Sequence, residues 1–395
     1  MTDWGDDMKY INANDVLPAN LLEQIQEYVQ GEYLYIPVRD KVESVTDYKT
    51  ELEKRDRHIY TKYLEGMNQK RLSRIYNLSE SSIRRIVMKQ RKSYQSMGDK
   101  INDMLYRWGL ENSEMKQIYD TVWQIGEDYV MKVYQNPIML ERNLNILAVL
   151  EKMNIPVGQC VLTLDQNRYV ADGEDFFFLS KKLSGSNIVR IVNAGTMALQ
   201  MGEIIADLHA ALKKCEDIVE FWDNRLLDEM NGWVKQNLEQ GNWNYINKQE
   251  YEYVVNGLAD FFDDLPIQLI HRDIHFGNFL FENGVFSGYI DFDLSQKNIR
   301  IFDLCYFLLS LLSDKEKFEI TNEQWFEFIT GIFKGYEKKQ KLTEIEKKSV
   351  PCVMECIELL FVSYFDSIGD GFCAEHAYKI YEFIKKQENR IWKSI

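Results

Sequence analysis

The segment IHRDIHFGNFLFENGVFSGYIDFD, residues 270–293, sets Asp273, Asn278, Asp291 and Asp293, with the imidazoles of His271 and His275, among Ile, Phe and Leu. Carboxylates beside so much apolar material are costly unless they are hydrogen-bonded, paired or bound to a metal. Asp and Asn oxygens are hard donors suited to Mg2+. FLF and YIDF read as two short strands joined by ENG, a hairpin turn around Gly284. Asp273 and Asn278 then lie on the loop before the hairpin, and Asp291 follows its second strand, so loop and strand end converge on one point. One carboxylate that positions and deprotonates a hydroxyl, with an Asn and a second Asp holding Mg2+ against nucleotide phosphates, is the equipment of phosphoryl transfer. The bland alternative is a hairpin with solvated turn charges, and the spacing and apolar frame speak against it.

HRDIHFGN follows the pattern H-x-D-x-x-x-x-N, and IDFD stands where protein kinases have D-F-G. The stretch LIHRDIHFGNFLFENGVFSGYIDFDLSQKNIRIFDLCYFL closely resembles the aminoglycoside phosphotransferase and choline kinase family, over roughly residues 110–395. The resemblance implies a protein-kinase-like fold, Asp273 as catalytic base, and Asn278 and Asp291 as metal ligands, with Asp293 the weaker candidate. It makes Asp303, in IFDLCYFL, a brace for the catalytic loop. His271 reads as structural support for the loop, and His275 as packing rather than phosphate contact.

The upstream half should supply a nucleotide lysine. Lys132, at the end of the apolar strand YVMKVY, is the obvious choice, with Glu141 on the next helix as its ion-pair partner. FFFLSKKLSGSN resembles the hinge between lobes, and MGEIIADLHAAL the helix before the catalytic loop, where His209 reads as packed. Two departures stand out. No G-x-G-x-x-G loop covers the phosphates, and the loop reads HRD where the family usually has HGD. No A-P-E segment follows, so HRD does not make this a protein kinase.

These residues need elements to hold them. At 395 residues, the chain is too long for one core. A composition 45% hydrophobic, with 6 Pro and 21 Gly, is that of a folded protein. Strand-like text runs through MKQIYDTVWQIG, EDYVMKVY, GQCVLTL, NRYVAD and FFFLSKKL, interrupted by the helix PIMLERNLNILAVLEKMN, and helices dominate after Thr196. No apolar run approaches membrane-spanning length and the acidic start is unlike a signal peptide, so the expected location is cytoplasmic, with no membrane partner. The scattered cysteines suit a reducing compartment, and Cys352 and Cys356 read as core packing.

Charge divides the chain. Residues 54–97 carry nine more basic than acidic side chains, whereas 98–395 carry a net −16. Three helices are expected over residues 51–93, the third capped by Ser79, with Leu72, Ile75, Leu78, Ile83 and Ile86 as a small core. A helix, a three-residue turn and a basic second helix fit the DNA major groove; a solvated basic face used for protein contacts is the alternative. KYINANDVLPANLLEQIQEYVQGEYLYIP followed by IYTKYLEGMNQKRLSRIYNLSESSIRRIV resembles the Mor-type transcription activator family over residues 8–93. That resemblance implies pairing of two chains, a homodimer, through residues 15–36 and a recognition helix over 79–89, with Ser81, Ser82, Arg84, Arg85 and Lys89 facing DNA.

The reading is an α+β chain: a two-lobed protein-kinase-like fold, with a small β-rich N-lobe and a large helical C-lobe, preceded by a small, mainly α helix-turn-helix domain. The domains are expected at 1–97, 98–182 and 183–395, with MGDK as the boundary after the helix-turn-helix. The expected activity is transfer of the γ-phosphate of ATP or GTP, with Mg2+, to a hydroxyl of a small molecule such as an aminoglycoside or amino alcohol. The alternative is a transcription regulator whose kinase-like part senses nucleotide or a small ligand without catalysis.

Overall fold

The computed structural model describes residues 55–64, 66–76, 78–217 and 221–395. The chain divides into two compact units, Met1–Leu52 and Glu53–Ile395, and the described residues all belong to the second. The segment expected to pair two chains, residues 15–36, lies outside them.

Helix α1 covers residues 55–64, α2 Gln69–Ile75 and α3 Glu80–Met104. Asn68 and Ser79 cap α2 and α3, their side-chain oxygens accepting from the amides of Arg71 and Ser82. Ile59, Tyr60, Leu72, Tyr76, Ile83, Ile86 and Val87 form a small buried core, with Ile75 and Leu78 packed against it. MGDK, expected as the boundary after the helix-turn-helix, falls inside the continuous 25-residue α3. Helix α3 serves two cores. Its first half packs in the helical module, while Ile101 joins the N-lobe core and Lys100 Nζ lies 2.7 Å from Asp175 Oδ2. Gly98 is no breaker, because it seats the helix against the indole of Trp123.

The N-lobe is a five-stranded antiparallel sheet in the order β1-β2-β3-β5-β4. Its strands are β1 Met115–Tyr119, β2 Val122–Ile125, β3 Tyr129–Tyr134, β4 Val170–Asp172 and β5 Asp175–Lys181, with helix α4, Pro137–Lys152, after β3. GQCVLTL, expected as a strand, makes only single bridges and a few backbone bonds to β5, such as Val161 N–H to Leu179 O at 2.9 Å.

The C-lobe begins with α5, Ala194–Cys215. Helices α6 Leu226–Glu229 and α7 Lys235–Gln240 are joined by a π-helical turn, Met230–Val234, and α8 is Lys248–Phe262. Strand β6 Ile267–Ile270 pairs antiparallel with β9 Gln296–Ile299. Between them lies the hairpin of β7 Phe279–Glu282 and β8 Val285–Tyr289. The hairpin turn is Asn283-Gly284, both at positive φ, as a two-residue turn requires. Its second strand stops at Tyr289, earlier than YIDF suggested, because Asp291 takes a left-handed φ of 64°. Helices α9 Ile301–Ser313, α10 Lys315–Phe318, α11 Asn322–Glu337, α12 Glu344–Ser367 and α13 Gly371–Ser394 complete the lobe. Helices α5 and α11 cross closely: a Cβ on Gly202 would lie 2.1 Å from Ile332 O, and one on Gly335 2.1 Å from Leu199 O. Among the described residues no helix is long and apolar enough to cross a membrane, and the six cysteines are free thiols.

Candidate active site

Strand β6 delivers the chain to His271 as an apolar, buried strand whose next three residues leave the sheet. Asp303, on the first turn of α9 and fully buried, receives that bend. Its Oδ2 accepts from the His271 amide and its Oδ1 from the Arg272 amide, both at 2.9 Å. His209 Nε2 on α5 lies 3.0 Å from the same Oδ2, and His209 Nδ1 lies 2.9 Å from the Tyr336 hydroxyl. A buried carboxylate is tolerable only with such partners. The His271 ring accepts from the Asp273 amide at Nδ1, 3.3 Å, and its Nε2 lies 3.2 Å from Ile290 O. One imidazole therefore joins the loop bearing Asp273 to the residue before Asp291.

Asp273 Oδ1 accepts from the Tyr306 hydroxyl at 2.8 Å and Oδ2 from Asn278 Nδ2 at 3.1 Å. Asn278 Nδ2 also donates to Asp273 O at 2.8 Å. His275 caps the short 3-10 turn Phe276–Asn278 by accepting from the Gly277 amide, and its Nε2 lies 3.6 Å from Asp273 Oδ1. A Cβ on Gly277 would lie 2.5 Å from the His275 ring, so the turn needs glycine there. Burial pushes the Asp273 pKa up, but the bond and charge of His275, the charge of His271 and the Tyr306 hydroxyl outweigh it, leaving it well below the usual carboxylate range.

Across the site stands Lys132. The alternation of β3 puts Lys132 and Tyr134 on one face, with Met131 and Val133 packed into the N-lobe core. Lys132 Nζ lies 2.8 Å from Asp291 Oδ1 and 2.6 Å from Asp293 Oδ2. Tyr134 donates to Asp293 Oδ1 at 2.8 Å and accepts from Asn143 Nδ2 at 2.8 Å. Burial would lower the Lys132 pKa, yet Tyr134, Asp293 and Asp291 together raise it well above its ordinary value, so the ammonium stays charged.

Glu141 is a correction. It does not pair with Lys132; its carboxylate is bound to Arg168, whose guanidinium also reaches Asn145 at 2.9 Å. Glu141 and Asn145 are one turn apart on the outer face of α4, while Leu140, Leu144 and Asn143 face inward. The inward polar position that reaches the lysine's surroundings is Asn143, through Tyr134.

Asp291 and Asp293 share Lys132, the Asn278 carbonyl accepts from the Ile290 amide beside Asp291, and both hydrogen bonds found for the Asn278 carboxamide are donated from Nδ2, which leaves Oδ1 open to a further partner. Among the described residues no group of three or more His, Cys, Asp or Glu side chains could hold a metal unaided. Two carboxylates and a carboxamide instead suit a cation that completes its shell with nucleotide phosphates and water, the habit of Mg2+.

The structure thus gathers Asp273, Asn278, Asp291, Asp293, His271, Asp303 and Lys132, and leaves Glu141 aside. Sequence reasoning missed Tyr306 and Tyr134 and read His275 as packing in preference to a phosphate contact. Tyr306 follows Asp303 by three residues on one helix face, and Tyr134 follows Lys132 by two on one strand face, so both signals were present. Ser81, Arg84, Arg85 and Lys89 are exposed on α3, and Ser82 is half-buried.

Residues 111–345, more than half of the chain, match the family model of the APH phosphotransferase enzyme family. Residues 11–100 match that of the Mor transcription activator family. The homoserine kinase of Gluconobacter oxydans (strain 621H) is 32% identical over 109 residues, 27% of this chain and 33% of that kinase. The match therefore spans only a third of that relative's length. The uncharacterized protein YraL of Bacillus subtilis (strain 168) is 32% identical over 84 residues, 20% of this chain and 97% of that protein. The structure is similar to that of amicoumacin kinase hAmiN in complex with AMP-PNP, Ca2+ and Ami, with a TM-score of 0.57 and 18% identity, covering 73% of this chain and 93% of that one. That likeness shows a two-lobed protein-kinase-like fold, and the sequence match adds the lineage: the chain belongs to the APH phosphotransferase enzyme family.

Proposed function

We propose that the chain transfers the γ-phosphate of ATP or GTP to a hydroxyl of a small, amine-bearing acceptor such as an amino alcohol or aminoglycoside. The observation that carries this is the convergence of Asp273, held by Tyr306 and Asn278, with Lys132, Asp291 and Asp293. Asp273 is a weak base, so it does not strip the alcohol beforehand. It orients the hydroxyl and takes its proton late, which suits a loose transition state. Lys132 faces the nucleotide phosphates, and its two carboxylate partners exchange it for that role when nucleotide enters. Asp291, Asp293 and Asn278 would hold Mg2+, which supplies charge neutralisation on the phosphates. The net −16 of residues 98–395 favours a cationic acceptor, and a homoserine kinase among the relatives is in keeping with an amino alcohol.

The test is product formation from Mg-ATP and Mg-GTP with a panel of aminoglycosides, amino alcohols and sugars, read by mass spectrometry, with Asp273→Asn as control. Nucleotide binding without transfer to any compound would overturn the reading in favour of a nucleotide-sensing domain.

Asp291 has its own prediction. Asp291→Asn removes the charge while keeping a residue that tolerates left-handed φ. Mg2+-dependent nucleotide affinity should fall at least as far as the roughly 10–100-fold typical of outer-shell changes at metal sites, with metal-free affinity not reduced, because the change also frees Lys132. Isothermal titration with and without Mg2+ checks this, and equal affinity in the variant and the parent takes Asp291 out of the metal site.

A second reading concerns residues 54–93. Arg84, Arg85 and Lys89 are exposed on the capped first half of α3, which follows α2 after a short turn. We infer from this and the Mor match that this part binds DNA. In gel shifts with genomic fragments, Arg84→Ala and Arg85→Ala should each weaken binding and lower the salt slope by about 1. No shift at low salt would sink the claim.

A further inference from the structure

We propose that Glu229 is a positioning residue for the catalytic loop, acting through Arg272, the residue next to Asp273. This deepens the phosphotransfer reading and rests on it. The starting observation is backbone conformation. Arg272 has φ 69°, the left-handed region where glycine is the ordinary occupant. A non-glycine residue is held there only when its surroundings over-determine it.

The surroundings do so through the side chain. Arg272 Nη2 donates to both carboxylate oxygens of Glu229, at 2.6 and 2.7 Å, and Nη1 donates to Gln296 Oε1 at 2.7 Å. Glu229 is buried at the end of α6, and Asn224 Nδ2 donates to its Oε1 at 3.0 Å. Gln296 on β9 in turn donates from Nε2 to Asn224 O at 3.0 Å. The guanidinium therefore closes a ring that ties the loop to α6 through Glu229, to β9 through Gln296 and to Asn224 just before α6. On its backbone side, the Arg272 amide is held by Asp303. Asp273 is thus aimed by two fixtures acting on the residue before it, one buried brace on the main chain and one buried ion pair on the side chain.

The two fixtures make different demands. Removing the Glu229 charge leaves a part-buried guanidinium without its anion, and a left-handed residue held only by Asp303 at its amide and Gln296 at its side chain. The loop then relaxes, and Asp273 shifts relative to Tyr306 and Asn278. The nucleotide side, where Lys132 meets Asp291 and Asp293, does not involve this ring. A pair that only stabilised the fold would lower the melting temperature and leave the turnover of the folded enzyme alone. A positioning pair lowers turnover without raising the nucleotide KM.

The experiment uses the full chain with Glu229→Gln, Arg272→Gly and the double variant. In Glu229→Gln, turnover of Mg-ATP with an acceptor from the panel above should fall about 10–100-fold, the scale of a small misplacement of a catalytic group, at unchanged nucleotide KM. Amide exchange of the peptide covering Leu269–Phe279 should accelerate in the same variant. The double variant removes the orphaned charge and gives the left-handed position the residue that fits it, so both turnover and exchange should recover. Unchanged turnover and exchange in Glu229→Gln would overturn the proposal, as would a double variant no better than the single one. The exchange readout needs no acceptor: accelerated exchange in Glu229→Gln, restored in the double variant, shows that the pair holds the loop even if no panel compound is phosphorylated, so failure of the pair is told apart from failure of the phosphotransfer reading.

Discussion

Asp273→Asn should slow phosphate transfer about a thousandfold, within the range that a positioned acid or base contributes, while Mg-nucleotide affinity stays close to that of the parent. The separation follows from geometry. Asp273 bonds Tyr306 and Asn278, whereas Lys132, Asp291 and Asp293, the residues proposed to meet the phosphates, bond one another. Asparagine keeps the shape and one acceptor oxygen, so the Tyr306 bond survives; the bond from Asn278 Nδ2 to the side chain is lost, but Asn278 keeps its bond to the Asp273 carbonyl, so the fold should stand. What it loses is the capacity to take a proton. The pKa of Asp273 lies below the usual carboxylate range, so acidification into the range where ordinary carboxylates titrate, near pH 4, leaves it ionised. A fall in rate between neutrality and pH 5 must then come from another group. Transfer assays with titration calorimetry decide the matter: a parallel loss of rate and nucleotide affinity would mean that Asp273 belongs to the metal site.

The spacing of HRDIHFGN and IDFD made the loop, the hairpin and their convergence legible, because a two-residue turn and short apolar strands leave the chain few paths. Lys132 was legible for the same reason, as the polar position of an alternating strand. Glu141 was misread because a helix offers a carboxylate several directions, and Arg168, 27 residues further on in sequence, claimed it. Nothing near Glu141 announces that partner. The continuity of α3 was hidden by MGDK, read as a boundary, where Gly98 lets the helix pass close to Trp123. Arg272 was noticed as a departure, but its meaning depends on Glu229, whose approach to the loop is set by the bridge of Asp223 to Lys297 and the bond of the Leu226 amide to Asn298 on β9 rather than by any local pattern.

Asp303→Ala should have the opposite signature to Asp273→Asn, a large loss of stability that carries activity down with it. Asp303 is fully buried and accepts from two backbone amides and faces His209. Alanine leaves those donors inside the lobe with neither partner nor water. Each unsatisfied buried group costs about 1–3 kcal/mol, and breaking a buried charged arrangement costs about 3–5 kcal/mol. Against a total stability of about 5–15 kcal/mol, that is a large share, so the urea midpoint should fall steeply. Asp303→Asn should not rescue it fully, because the carboxamide presents one acceptor and turns an NH2 toward a donor. The two aspartates thus separate by where their partners are. Those of Asp273 are side chains at the edge of the site, so the cost of changing it is chemical. Those of Asp303 are buried backbone amides, so the cost is conformational. An Asp303→Ala chain with the parent's urea midpoint would mean that His271 and Arg272 are held by their side chains alone, and the ion pair to Glu229 would then carry the loop by itself.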